Sequence, residues 1–302
     1  VTKKTANDGE FIWKIPKSVK KHSKYKIKIT STKNSSIYDS GDNTFTILGA
    51  SNWWKDNFSL KVGGLNSVLY TGIEDDGTGT WRNFMVHVNN PNVPSAVNIV
   101  NKKDGHPVRK GKQSIRFIVR PGQCGGADCS EENQSERVEL AANKAEEVGK
   151  NYWYAWSVYF KNFRPIDPVS PTVGQFRIGR VDTAIEFTTF LVSSNGLEAF
   201  FTVDRKTKSY SVIPYSQLSN KWHDILVNAK WSTGADGFFK VWWNGKLQVN
   251  HKGRNVIDRE NDRLFRFGLY RPNLYRVPSY KITHIVYYDE LVRGSSCEDV
   301  SQ

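Results

Sequence analysis

Three short segments place Arg, Glu, Gln and Tyr at spacings that suit chemistry on a charged sugar. In Ser135–Leu140 (SERVEL), the alternation of an extended chain sends Ser135, Arg137 and Glu139 to one face and Glu136, Val138 and Leu140 to the other. In Gly174–Ile178 (GQFRI), Gln175 and Arg177 share a face, with Phe176 and Ile178 behind them. In Leu264–Tyr270 (LFRFGLY), Phe265, Phe267 and Leu269 form an apolar face, and Arg266, Gly268 and Tyr270 face away. The plain alternative is the solvated side of an antiparallel sheet. Such faces collect Lys, Thr, Ser and Glu, whereas Arg, Gln and Tyr are the side chains that clamp carboxylates and stack on sugars. Gly268 also removes a side chain where a ligand would approach.

The elements that must carry these residues are strands. From about residue 49, short apolar runs alternate with turn signals: 114–119, 152–160, 173–178, 184–192, 197–203, 223–231, 238–243, 264–270 and 282–288. Many strands with almost no helical periodicity predict an all-β antiparallel sandwich over about 80–295. The one helix-like stretch, Leu140–Val148, reads as a short connector. Residues 10–48 hold two alternating stretches, 25–30 and 44–47, around Asn/Ser/Asp/Gly-rich turn material. A boundary at 48/49 separates this small module from the main domain, 49–302.

The 302 residues carry 43 Lys+Arg against 30 Asp+Glu, a net charge of +13. Such a field attracts a polyanion, whether nucleic acid, anionic membrane or acidic polysaccharide. The excess is uneven, because residues 1–50 hold 10 Lys, no Arg and 4 acids. With 38% hydrophobic residues and 10 Trp the chain can bury a sizeable core. It has no apolar run of the ~18 residues that span a bilayer, and residues 1–10 lack the apolar stretch of a signal peptide. Beginning at Val1, it is read as a processed product or an excised segment. Cys124 and Cys129 flank a Gly-rich turn that brings them within bridging range, which predicts a local disulfide, an oxidising compartment and Cys297 outside the pair.

The three segments resemble, in order and register, the signature strands of the jelly-roll polysaccharide lyases, the alginate lyases and the related heparin- and glucuronan-lyase groups. The family pattern is R-x-E-L, then Q-x-H, then aromatic-x-K-x-G-x-Y. Its counterparts here are Arg137-Val-Glu139-Leu140, Gln175-Phe-Arg177, and Phe265-Arg266-Phe-Gly268-Leu-Tyr270. The likeness covers about 80–290, and the text around HPVRKGKQSIRFIVRPGQCGG and DGFFKVWWNGK is similar to the heparin-lyase-like branch. The stretch from Phe11 to Ile47 resembles half of the Ig-like module of Ser/Thr-rich GPI-anchored surface proteins, which makes 1–48 a module remnant or linker.

That resemblance implies a jelly-roll enzyme, secreted or at the cell surface, that cleaves a uronate polymer by β-elimination. The reaction needs groups that neutralise the carboxylate beside C5, a base for the C5 proton and an acid for the leaving oxygen. Arg137 and Gln175, with Arg177 nearby, are the implied carboxylate neutralisers. Tyr270 is the implied acid, and the base too where Arg266 stabilises its phenolate. Glu139 orients Arg137, and Arg271 and Tyr275 join Arg177, Glu139 and Arg266 in the substrate-binding set.

One departure matters: Arg177 stands where the family has His, and Arg cannot act as a base at ordinary pH. Of the six His, His223 and His284 adjoin core strands, His22 and His251 lie in polar contexts, and His87 reads as an ordinary strand residue. His106, in Asp104-Gly-His-Pro107, is the expected base.

Other readings use other residues. A glycoside hydrolase needs two carboxylates about 5–9 Å apart. The spaced acids Asp258, Glu260 and Asp262 are instead read as a solvated loop that offers oxygen ligands to Ca2+; the elimination chemistry itself requires no cofactor. A non-catalytic basic carbohydrate-binding module or adhesin would use Trp53, Trp54, Trp153 or Trp156 as platforms. No helix-turn-helix, zinc knuckle or aromatic-plus-basic RNA motif is present, so the expected partner is an anionic polysaccharide met by a monomer, with neither nucleic acid nor membrane.

Overall fold

The computed structural model describes residues 22–42, 44–47, 60–63, 67–70, 84–88, 96–124, 126–132, 134–142, 146–178, 186–257 and 263–300. The chain divides into two compact units, Val1–Lys55 with Ser301–Gln302, and Asp56–Val300.

The first unit contains β1 (His22–Tyr25), β2 (Lys28–Thr30), β3 (Tyr38–Ser40) and β4 (Phe45–Ile47). They pair antiparallel as β1 with β4 and β2 with β3. The continuous strand predicted over 25–30 is split in two. Its alternation does not bury an apolar row, since Ile27 and Ile29 are 51% and 71% exposed.

The second unit continues with β5 (Leu60–Gly63), β6 (Ser67–Tyr70), β7 (Phe84–Val88), β8 (Val97–Asn101), β9 (Gln113–Val119) and β10 (Glu136–Ala142). Then come β11 (Asn151–Phe160), β12 (Thr172–Ile178), β13 (Glu186–Ser193), β14 (Gly196–Val203) and β15 (Lys206–Pro214). The chain ends with β16 (Trp222–Lys230), β17 (Phe238–Trp243), β18 (Lys246–Lys252), β19 (Arg263–Arg271), β20 (His284–Gly294) and a short helix α1 (Cys297–Val300).

These strands form a nine-stranded sheet in the order β15-β14-β13-β12-β19-β10-β7-β6-β5 and a seven-stranded sheet in the order β18-β17-β16-β11-β20-β9-β8. Every named pairing is antiparallel, and the crossovers within both orders are those of a jelly roll. The helix-like segment after Leu140 is no helix where it is described, because β10 runs on to Ala142. Ala and Leu there face a sheet interior, and tertiary packing overrides helix propensity.

The inner faces of the two sheets meet in one aromatic core. Phe176 of β12 packs against Tyr154, Phe265 and Trp231 with ring centroids 4.9–5.0 Å apart. Phe117 of the seven-stranded sheet meets Phe267 edge-on at 5.7 Å. Each such ring contributes roughly 1.5–3 kcal/mol by burial. Phe265, Phe267 and Leu269 are all about 1% exposed or less, which fixes the parity of β19 and sends Arg266 and Tyr270 to the far side.

Candidate active site

The site is built from the register of three strands. β10 sets Arg137 opposite Tyr270, Glu139 opposite Gly268 and Ala141 opposite Arg266. On the other side of β19, β12 sets Gln175 opposite Arg266 and Arg177 opposite Leu264. Directly opposed residues share a face. Arg137, Glu139, Gln175, Arg266 and Tyr270 therefore come out together, and Arg177 holds the same parity two positions beyond Gln175.

The Glu139 carboxylate, 1% exposed, is the hub of this face. Gln175 Nε2 donates to its Oε1 at 2.5 Å, and Arg137 Nη1 donates to its Oε2 at 3.2 Å. Arg137 turns Nε and Nη2 onto the two oxygens of Asp128, at 3.0 and 3.1 Å. Burial opposes the charge on Arg137, but Glu139 and then Asp128 outweigh it and hold the guanidinium above its ordinary pKa. The guanidinium carbon lies 3.9 Å from the Tyr270 ring centroid. A cation on an aromatic face is attracted by the ring quadrupole. Tyr270 and Arg266 remain partly exposed.

Two expected contacts come out differently. Arg137 was expected to clamp a carboxylate and to be oriented by Glu139; the Glu139 bond is there, but Asp128 takes two further donors, leaving two of the five. The guanidinium against Tyr270 is that of Arg137, its register partner, rather than that of Arg266. Gly268 has a different reason from ligand approach. At φ +135° a Cβ would stand 2.4 Å from the Val138 carbonyl oxygen, so only glycine lets β19 close on β10 there.

Three other expected residues lie elsewhere. His106 sits in the loop before β9 with Nδ1 3.4 Å from the Tyr287 hydroxyl. Tyr287 belongs to β20 in the seven-stranded sheet, so His106 is separated from the Glu139 face by the sandwich. Arg271 is wholly buried. It donates to Glu136 Oε2 and, at 2.6 Å, to the Ile282 carbonyl, and a side chain so enclosed cannot meet a polymer. Tyr275 is 48% exposed in the turn Leu274–Arg276 after β19, off the strands of the face. His223 and His284 are structural as expected, at 0% and 1% exposure.

Two residues on or beside the face were missed. Asp128 had no periodicity to announce it; the cysteine pair around it was the one signal. His87 was set aside as a plain strand residue, yet the register of β7 places it opposite Glu139. Asp258, Glu260 and Asp262 lie outside the described residues. Among the described residues, no three His, Cys, Asp or Glu side chains group as a metal site.

A family model for polysaccharide lyases matches residues 76–292. The chain belongs to the polysaccharide lyase family. It is a lyase that acts on polysaccharides, and its matched span contains all three signature strands. No curated protein matches it. Among solved structures, an endo-β-1,4-glucuronan lyase from the fungus Trichoderma reesei is 18% identical with a TM-score of 0.52, over 71% of this chain and 96% of that one. The alginate lyase Aly36B is 15% identical with a TM-score of 0.46, over 61% and 81%. The alginate lyase vAL-1 from Chlorella virus is 12% identical with a TM-score of 0.45, over 66% and 91%. At 18% identity, the likeness to the glucuronan lyase structure speaks for the jelly-roll fold alone. Among the described residues no helix is long and apolar enough to cross a membrane.

Proposed function

We propose that this lyase cleaves an acidic, uronate-containing polysaccharide by β-elimination on the open face of β10, β19 and β12. The observation that carries the reading is the partly exposed Tyr270 held over the Arg137 guanidinium, beside a carboxylate hub that also fixes Gln175. The base removes the C5 proton, the C5–H electron pair becomes the C4=C5 double bond, and the C4–O bond breaks. Tyr270 gives its proton to the leaving oxygen, and Arg137 stabilises the charge left on the phenolate. Arg266 and Arg177, with the remaining donors of Arg137, neutralise the uronate carboxylate, while Gln175, 2% exposed, holds Glu139 in place. His87, opposite Glu139 in register, supplies the base in place of the histidine that Arg177 replaces.

The net charge of +13 suits a polyanion, and a fold relative is named for glucuronan. The first unit fits an accessory β-module, and the disulfide fits an extracellular enzyme. Incubation with glucuronan, alginate, heparin and other uronate polymers, read by the ultraviolet absorbance of the new double bond, tests the proposal. Absorbance should grow with at least one polymer; binding without absorbance on every polymer would refute elimination.

A further inference from the structure

We propose that Asp128 is a positioning residue that aims Arg137 at Tyr270, and that the Cys124–Cys129 disulfide keeps Asp128 in place. The inference rests on the reading that Tyr270 transfers the proton.

Asp128 is 3% exposed and lies in the 3-10 turn Gly126–Cys129 of the connection between β9 and β10. Its carboxylate grips Arg137 at two points, and its carbonyl oxygen accepts the Ser135 N–H at 2.7 Å. Two parallel hydrogen bonds fix the plane of a guanidinium, whereas one bond leaves it free to turn. Glu139, two residues along the same strand, supplies only one such bond to Arg137, at 3.2 Å. The plane in which Arg137 meets the Tyr270 ring is therefore set by Asp128.

Asp128 sits in a short 3-10 turn within a long connection. The chain from Arg120 to Ser135 contains Gly122, Gly125 and Gly126, whose backbone freedom is large. Its ties include Gly122 N–H to Glu136, Arg120 N–H to Gln123 at 2.7 Å and Gln134 N–H to the Ser130 carbonyl at 2.9 Å. The disulfide joins Cys124 to Cys129, the residue next to Asp128, with their Cα atoms 5.2 Å apart. Closing this small ring removes most alternatives open to the loop. Sequence to function runs through one chain of contacts: cysteine pair, Asp128, Arg137, Tyr270.

The test uses the full chain and the uronate polymer on which it is active. Asp128→Asn should lower kcat on the order of 10- to 100-fold, as small misplacements at reacting groups do, with KM changed less than about twofold. A dithiol that converts the disulfide to two thiols, itself closing to a cyclic disulfide, should lower the wild-type kcat similarly. It should have no further effect on Asp128→Asn, since both changes release the same group. The double variant Cys124→Ser/Cys129→Ser should match the reduced protein.

Unchanged kcat in Asp128→Asn, or an equal loss on reduction with and without Asp128, overturns the proposal. The Arg137 Nε–H nuclear magnetic resonance signal checks the geometry without substrate. It should exchange slowly in the oxidised protein and quickly after reduction or in Asp128→Asn; persistent protection also overturns it. A protein that cleaves no polymer yet loses this protection refutes the proposed function and leaves the positioning role standing.

Discussion

Arg137 and Arg271 stand one register step apart at the same end of the nine-stranded sheet, each against a carboxylate, and their surroundings differ completely. Arg137 pairs in register with Tyr270 on the open face, and Arg271 pairs with Glu136 on the enclosed one. Around Arg271 the Ile282 carbonyl and the Tyr280 ring, 5.3 Å from its guanidinium carbon, complete a closed pocket. Burial there pushes the Tyr280 phenol up to about 12. Around Arg137, beside the Tyr270 ring, two carboxylates take three of the five N–H donors, and the side chain keeps 8% exposure. Paired strands change faces together at every register step, so two arginines on adjacent strands, one step apart, are divided between an enclosed ion pair and the face that carries Tyr270.

The sharpest way to break that comparison is to remove one oxygen from the open side. Tyr270→Phe should cut the elimination rate by about 10²–10⁴ while leaving the unfolding midpoint within a degree or two, because the hydroxyl supports no core packing. A matching loss in His87→Gln would mark the second proton-transfer group; a near-normal rate in Tyr270→Phe would move the chemistry elsewhere. On the enclosed side the expected effect is on folding. Arg271→Ala leaves Glu136 buried without its cation and should cost about 3–5 kcal/mol in denaturant unfolding. If Arg271→Ala instead unfolds at the wild-type midpoint and only weakens polymer affinity, Arg271 belongs with the binding surface.

Periodicity made both faces of the central strands legible, and loops and edge strands were what it could not place. The alternation in SERVEL, GQFRI and LFRFGLY gave these faces because Val138, Leu140, Phe176, Phe265, Phe267 and Leu269 are buried in the core, which pins the register. Arg271 shares the parity of Phe265, Phe267 and Leu269, so the same alternation places it on the enclosed face; its charge alone grouped it with the binding set. Strands β15 and β18 were missed altogether: KTKSYSVIP and KLQVNHK mix exposed Lys with few apolar positions, as edge strands do. His106 and Asp128 show the same limit from both sides. Each lies in a loop, and a loop's position in space follows from closure, here by a disulfide, rather than from any spacing in the sequence.

A second consequence of the enclosed side is read through pH. His284 has its ring stacked on Phe163 at 4.1 Å and bonds through Nε2 to the Arg164 carbonyl at 2.7 Å. Burial, then the Arg271 cation, hold its pKa down to about 3 from the usual 6.5. The unfolded chain therefore binds a proton that the folded chain refuses. Stability from this group is complete above about 6.5 and falls as pH drops toward 3, by about 1.4 kcal/mol per pH unit. Burial lowers His223 and His251 too, which adds to the slope with the same sign. Urea unfolding between pH 6.5 and 5, above the main carboxylate range, should show this decline in the wild type and in Tyr270→Phe alike. His284→Phe should flatten it by one proton; an unaltered slope would mean that His284 charges in the folded state.

The smallest expected effect separates the two sheets. His106 touches the Tyr287 hydroxyl at 3.4 Å, and its ring lies 6.0 Å from the Tyr287 ring, on the seven-stranded sheet. Burial and the Arg116 cation lower its pKa, so at neutral pH it stands as a neutral base and could have passed for a proton acceptor on chemistry alone. Position decides against it. The Glu139 face belongs to the other sheet, and sheets packed face to face stand ~10 Å apart with side chains filling the gap. His106→Ala removes one long contact and should leave kcat and KM within about twofold of wild type and stability within about 1 kcal/mol. A loss of rate comparable to that of Tyr270→Phe would mean that substrate reaches across the edge of the sandwich, and the proposed confinement of the chemistry to the nine-stranded sheet would have to be redrawn.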